Sequence, residues 1–133
     1  MTSPLFTPFK LKNMELPNRV VMAPMTRSKS PGGVPGENVA DYYARRAASD
    51  VGLIVTEGTT VRRGGASNDP NVPNFYKADA LAGWKNVVDK VHAVKLPLVP
   101  QRWRAAGYNN QGDVSAHKDI GALRCHHNLG QSA

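Results

Sequence analysis

Just past a short β-branched run, Val20-Val21-Met22, the chain reads Ala23-Pro24-Met25-Thr26-Arg27, and here its side chains are best placed for chemistry. The apolar run predicts a short buried strand. Pro24 fixes φ and carries no N–H, so ladder pairing should stop there. A small residue, a proline, a hydroxyl and a guanidinium directly beyond a strand tip are how a parallel barrel offers binding groups to a ligand. Glu57 closes a second apolar run, Val51-Gly-Leu-Ile-Val-Thr, where a carboxylate is a formal candidate for a general base. His117, Cys125, His126 and His127 carry metal-binding atoms. Adjacent Cys-His-His residues rarely converge on one tetrahedral ion, and no second pair stands at ligand spacing, so no metal site is expected.

These groups need a scaffold. Alternating apolar and polar residues from Phe9 to Leu16 predict a small hairpin turning near Asn13. Ser28 to Pro35 is a loop by composition. A helix is predicted over Glu37 to Ser49, with Val39, Tyr42, Tyr43, Arg46 and Ala47 at helical spacing and an acid in its first turn. Val51 to Thr56 reads as a strand buried on both faces, ending at Glu57-Gly58-Thr59. The Gly/Asn/Pro-rich stretch from Arg63 to Asn74 is long enough to be functional. Asp79 is a good N-cap for a second helix, which would place Leu81, Trp84, Val88 and Val91 on one stripe. A third strand is predicted from Leu96 to Trp103, interrupted by Pro97 and Pro100. Tyr42, Tyr43 and Trp84 fall at helical core positions and read as packing. Strand, helix, strand, helix, strand is the order of a parallel α/β fold with right-handed crossovers.

Composition narrows the function. The chain has 133 residues, 41% of them hydrophobic, and a formal charge of +7. Up to Lys95 there are 13 Lys/Arg and 8 Asp/Glu, interspersed rather than gathered into a stripe, so nucleic acid is not an expected partner. No run of about 18 apolar residues occurs, so no membrane span is expected. The N-terminus lacks the basic and apolar regions of a signal peptide. A single cysteine excludes an internal disulfide framework, and the expected location is cytoplasmic. Gly32-Gly33 and Gly64-Gly65 lack the spacing of a dinucleotide fingerprint, and no Walker loop, H-E-x-x-H or G-x-S-x-G occurs.

Six blocks resemble the old yellow enzyme family, the FMN-dependent NADH:flavin oxidoreductases and ene-reductases. They are Pro17 to Arg27, Gly33-Val-Pro-Gly-Glu, Asp41-Tyr-Tyr-Ala-Arg-Arg-Ala, Gly52-Leu-Ile-Val-Thr-Glu-Gly-Thr, Asn68-Asp-Pro-Asn-Val-Pro-Asn-Phe-Tyr and Ala82-Gly-Trp-Lys-Asn-Val-Val-Asp-Lys-Val-His-Ala. All stand in the family's order and spacing, which makes the match specific. The resemblance implies FMN across the C-terminal mouth of a (β/α)8 barrel, with NAD(P)H as hydride source and an enone-type small molecule as substrate. Backbone around Ala23, Pro24 and Met25 would line the flavin face, and Thr26 would bond the pyrimidine edge. Gly58 would let backbone approach the ring. Gln101, matching the glutamine of the family's Gln-Leu-Trp-His stretch, would offer its amide to a flavin carbonyl and ring N–H. The family's proton donor does not fall at Glu57, so no catalytic residue is assigned.

A complete barrel of this kind takes about 250 residues. The expectation is therefore a partial barrel: residues 1–104 supply about three strands and two helices, and 105–133 form an irregular tail that matches no family motif. Arg102 and Arg104 replace an apolar residue and a histidine of the family pattern, and a guanidinium buried there would be costly. The family's substrate-carbonyl pair, its tyrosine acid and its phosphate loops have no counterpart, and Tyr108 lies in the unmatched tail. A truncated form inactive on its own is the expected function. The alternative is a non-catalytic barrel fragment, inert or self-associating through its open sheet edge.

Overall fold

A computed structural model describes residues 3–62 and 66–103; Arg104, Tyr108, the tail 105–133 and its His/Cys group lie outside the described residues. Near the N-terminus, β1 (Phe9–Leu11) and β2 (Met14–Leu16) pair antiparallel as the alternation predicts. Lys12, at φ 54°, makes the turn beside Asn13. Cross-strand partners Lys10 and Glu15 form an exposed ion pair at 2.7 Å, a contact of small energetic weight. Leu16 is the residue of this hairpin that is buried.

The principal sheet has three parallel strands in the order β3-β4-β5: Val21–Met22, Leu53–Thr60 and Leu98–Trp103. Helix α1 (Glu37–Ala47) lies in the first crossover and α2 (Ala78–His92) in the second. The predicted alternation is thus observed. Its first strand is shorter and less covered than expected, because pairing reaches only Val21↔Leu53 and Met22↔Ile54 before Pro24, and Val21 remains 49% exposed. β4 is longer than expected. It runs through Glu57 to Thr60, so Glu57 and Gly58 sit inside the strand rather than beyond its tip.

β4 and β5 do not pair evenly. Three steps along β4, from Val55 to Gly58, face two along β5, from Val99 to Gln101. One extra residue in β4 makes a bulge, which breaks local ladder bonds. Side chains replace them. The Thr56 hydroxyl accepts the Gln101 N–H at 3.2 Å, and the Tyr43 phenol oxygen accepts the Glu57 N–H at 2.7 Å.

The core joins both helices to the central strand through Val39, Ala40, Tyr43, Ala47, Ile54, Trp84, Val87, Val91 and Leu96. In α2 the buried stripe is Ala80, Trp84, Val87 and Val91, whereas Leu81 is 46% exposed and Val88 half-buried. The helix begins two positions earlier than the Asp79 cap implied. Lys77, at φ 69°, turns the chain into the helix; Asp79 falls in the first turn and its Oδ1 accepts the Ala80 N–H. Gly83 is a glycine by necessity, since a Cβ there would stand 2.2 Å from the Pro35 carbonyl oxygen. Helix α1 stops at Ala47, two residues short of the predicted end. Arg102 is exposed, so the expected cost of burying it does not arise. Among the described residues, no helix is long and apolar enough to cross a membrane, and no three His, Cys, Asp or Glu side chains group around a metal-sized site.

Outside the core, Lys90 of α2 donates to both Glu37 and Asp41 of α1, and Asn86 adds a bond to Glu37. The lysine's hydrogen bonds hold both carboxyls below their ordinary values of 4.5 and 3.8, and the carboxylates, Asp41 first, raise Lys90 above 10.5. A carboxylate lowered in the folded state stabilises fully above its ordinary value and loses that contribution as pH falls through its folded one. A raised lysine contributes below its ordinary value and loses it as pH climbs through the folded one. Thermal midpoints across a pH series should therefore hold through neutrality and drop on acidification below 4.5. Lys90→Met should lower the plateau and flatten that acid limb; an acid limb as steep as before would remove this clasp from the account.

Candidate cofactor site at the C-terminal edge of the sheet

Parallel strands direct their C-terminal ends to one side, so the residues after β3 and those near the ends of β4 and β5 meet along one edge. Ala23, Pro24, Met25 and Thr26 are all exposed there, Met25 by 52%. Gly58 is the register partner of Gln101, which places these two candidates side by side on adjacent strands. Gln101 is held at both peptide groups: its N–H by Thr56, and its carbonyl by the Thr59 hydroxyl at 3.0 Å. Among the described residues, neither the Thr26 hydroxyl nor the Gln101 carboxamide makes a hydrogen bond, and none joins Thr26 to Gly58 or Gln101.

The most tightly built feature of this edge was not read from the sequence. Arg27 donates to Glu57 twice, from its backbone N–H to Oε2 at 3.1 Å and from Nη2 to Oε1 at 2.5 Å. The Glu57 side chain is fully buried and that of Arg27 is 15% exposed. Arg27 Cζ lies 3.6 Å from the Tyr42 ring centroid and 5.2 Å from that of Tyr43, while Arg46 Cζ lies 3.5 Å from Tyr42. Cations over aromatic faces are attracted by the ring quadrupole, more so when water is excluded. Tyr42 is therefore half-buried between charges rather than simple core packing. Burial raises the Tyr43 phenol well above its ordinary value, so it stays protonated. One sequence signal could have exposed the pair. A carboxylate in a strand buried on both faces demands a cation, and Arg27 follows the neighbouring strand.

Beside β4, Asn74 gathers the loop that follows it. Its Oδ1 accepts from the Thr60 hydroxyl at 2.6 Å, its N–H donates to the Gly33 carbonyl, and its carbonyl accepts the Trp84 Nε1–H at 3.0 Å. Asp69 is held below the ordinary carboxylate range, first by a bond from Ser28 and then by the Asn71 N–H. Gly32, Thr60, Ser67, Asp69, Asn74 and Tyr76 border a cavity of about 230 Å³.

The fold is that of a parallel α/β barrel segment, and comparisons with known proteins give its family. The profile of the NADH:flavin oxidoreductase / NADH oxidase family matches residues 4–130, a span reaching into the stretch that family motifs left unassigned. The chain belongs to this family. It is 41% identical over 109 residues to 12-oxophytodienoate reductase 7 of Oryza sativa subsp. japonica, covering 82% of this chain and 27% of the relative. Over 102 residues it is 44% identical to chanoclavine-I aldehyde reductase fgaOx3 of Penicillium roqueforti, covering 74% and 27%. Morphinone reductase in complex with tetrahydroNAD superposes with a TM-score of 0.71 at 40% identity, over 78% of this chain and 28% of that one. The old yellow enzyme homologue from Zymomonas mobilis superposes at 0.66 with 30% identity, over 77% and 28%. The chain thus spans about 27% of the length of these curated relatives, and its strands form a segment of their barrel fold, not a closed barrel.

The Asn74 junction yields a paired prediction. Gly32 (φ 64°) and Gly33 (φ 78°) both have left-handed backbone, but a Cβ on Gly32 meets nothing within 4 Å, whereas one on Gly33 would stand 2.1 Å from Asn74 Nδ2. Gly32→Ala should cost about 1–2 kcal/mol from backbone conformation alone. Gly33→Ala should cost clearly more, because the packed Asn74 amide must also shift. Denaturant midpoints measure both, and equal losses would contradict the crowding at residue 33.

Proposed function

We propose that this chain supplies the flavin-facing first strands of an FMN-dependent NAD(P)H oxidoreductase of the old yellow enzyme type, acting on activated alkenes such as α,β-unsaturated carbonyls. One observation carries the reading: an exposed Ala23–Thr26 segment shares the C-terminal sheet edge with Gly58 and Gln101, and among the described residues the Thr26 hydroxyl and the Gln101 carboxamide have no internal partner. The donor set fits the cofactor. A hydroxyl and a carboxamide, both without internal partners among the described residues, can serve a heterocycle edge that alternates carbonyls and N–H groups. Pro24 and Met25 add apolar surface for a ring face, and Gly58 brings no side chain to the edge.

Bound FMN would carry the hydride between nicotinamide and alkene, while the protein tunes and orients it. Thr26 would donate to the ring edge and favour the charge of its reduced form. Gln101, fixed at both peptide groups by Thr56 and Thr59, would present its amide from a rigid base. A lost neutral hydrogen bond weakens binding by about 0.5–1.5 kcal/mol. FMN titrated into the 133-residue chain and followed by flavin fluorescence should bind with a Kd raised about three- to tenfold by Thr26→Ala and by Gln101→Ala. Saturable binding indifferent to both substitutions would overturn the site assignment.

Catalysis asks for more than this edge. Three strands of about eight leave an open site, where water weakens preorganised polar groups. We expect the isolated chain to turn over no substrate: NAD(P)H oxidation with added FMN and cyclohexenone should stay at the protein-free rate. Oxidation rising in proportion to a monodisperse, flavin-bound species would make the chain a working enzyme.

A further inference from the structure

We infer that Glu57 is a positioning residue for the cofactor edge: its single buried carboxylate ties the segment after β3 to the bulge in β4. The inference rests on the FMN reading above. Arg27 directly follows Thr26, and both Glu57 oxygens are taken by Arg27, one by its backbone N–H and one by its guanidinium. Gly58 directly follows Glu57 and pairs with Gln101. The carboxylate is therefore the link between three proposed flavin contacts: Thr26 after β3, Gly58 in β4 and Gln101 in β5.

Ahead of Arg27 the segment has little else to fix it. β3 ends at Met22, and among the described residues 23–26 make no backbone hydrogen bond. The next backbone bond is the Ser30 N–H to the Asn71 carbonyl. Between those points Arg27 makes two hydrogen bonds to Glu57, and nearer Ser30 the chain is also held by Ser28 on Asp69 and by Asn38 on the Lys29 carbonyl. Glu57 is fixed in turn from the helix side, where the Tyr43 phenol oxygen takes its N–H. The Tyr42 ring, with Arg46 also over it, holds the Arg27 guanidinium. Bidentate, charge-assisted bonds add directional constraint as well as attraction. A displacement of Thr26 by about 1 Å is enough to spoil a cofactor contact.

Amide hydrogen exchange on the full 133-residue chain, without cofactor, reads the latch directly. In Glu57→Gln, the amides of residues 27 and 30, the hydrogen-bonded ones of this segment, should exchange about tenfold faster while those of Leu53 to Val55 keep their rates, and the FMN Kd should rise about tenfold. Arg27→Lys, which keeps the cation, should lose less of both than Arg27→Met. The double variant Arg27→Met/Glu57→Gln leaves no unpaired buried charge, so it reads the same segment where a single variant loses its fold. Unchanged exchange at residues 27 and 30 of the double variant overturns the latch. Equal acceleration in β4 reduces Glu57 to general stability and also overturns it, as does a loosened segment with unaltered FMN affinity. Should the unmodified chain bind no FMN, the cofactor reading fails, and exchange still decides whether Glu57 holds the segment.

Discussion

Burying the Glu57 carboxylate inside the central strand sets a condition that the surrounding elements meet together. A lone ionised carboxylate in an apolar interior is strongly unfavourable, and a pair there holds only when geometry and hydrogen bonds compensate. The segment after β3 brings Arg27, with both a backbone and a side-chain donor, and α1 brings Tyr43 to the Glu57 N–H and Tyr42 to the guanidinium. The extra residue in β4 is what frees that N–H from the ladder. Bulge, ion pair and phenol are thus one device. Removing one partner of such a pair typically costs about 3–5 kcal/mol, because the other charge stays behind.

The same device explains why the edge is polar where the core behind it is not. Ile54, Val39, Val87 and Val91 pack the sheet against the helices, but from Thr56 onward β4 carries hydroxyls, a carboxylate and a glycine. Thr56 and Thr59 spend their hydroxyls on the backbone of Gln101, and Thr60 spends its own on Asn74. The strand changes from packing element to hydrogen-bonding scaffold within its own length. That change faces the side on which the candidate flavin contacts lie.

Much of this was legible in the sequence, and the failures share a cause. Element order came through because hydrophobic periods of two and 3.6 differ clearly between Leu53-Ile54-Val55 and the stretch around Trp84. Residues 23–26, after the first strand, are exposed, and Gln101 lies within the third strand, as the sequence expected of a strand over 96–103. Details set by contacts distant in the chain did not come through. The bulge needs Tyr43 and Thr56, the ion pair joins residues 30 apart, and the phase of α2 follows from Lys77 turning the chain two residues early. Val21 looked buried because its neighbours are apolar, yet the strand is too short for its side chain to be covered.

The Asn74 amide fills the space that a side chain at residue 33 would occupy. That reciprocity has an evolutionary consequence. Position 33 can gain a Cβ only after position 74 has shrunk, and shrinking Asn74 first removes the acceptor of the Thr60 hydroxyl. Each single step passes through a less stable intermediate, so the two positions drift as a pair or not at all. Lineages that did cross should differ at both sites, and a graft of either residue alone between them should be incompatible with its new host.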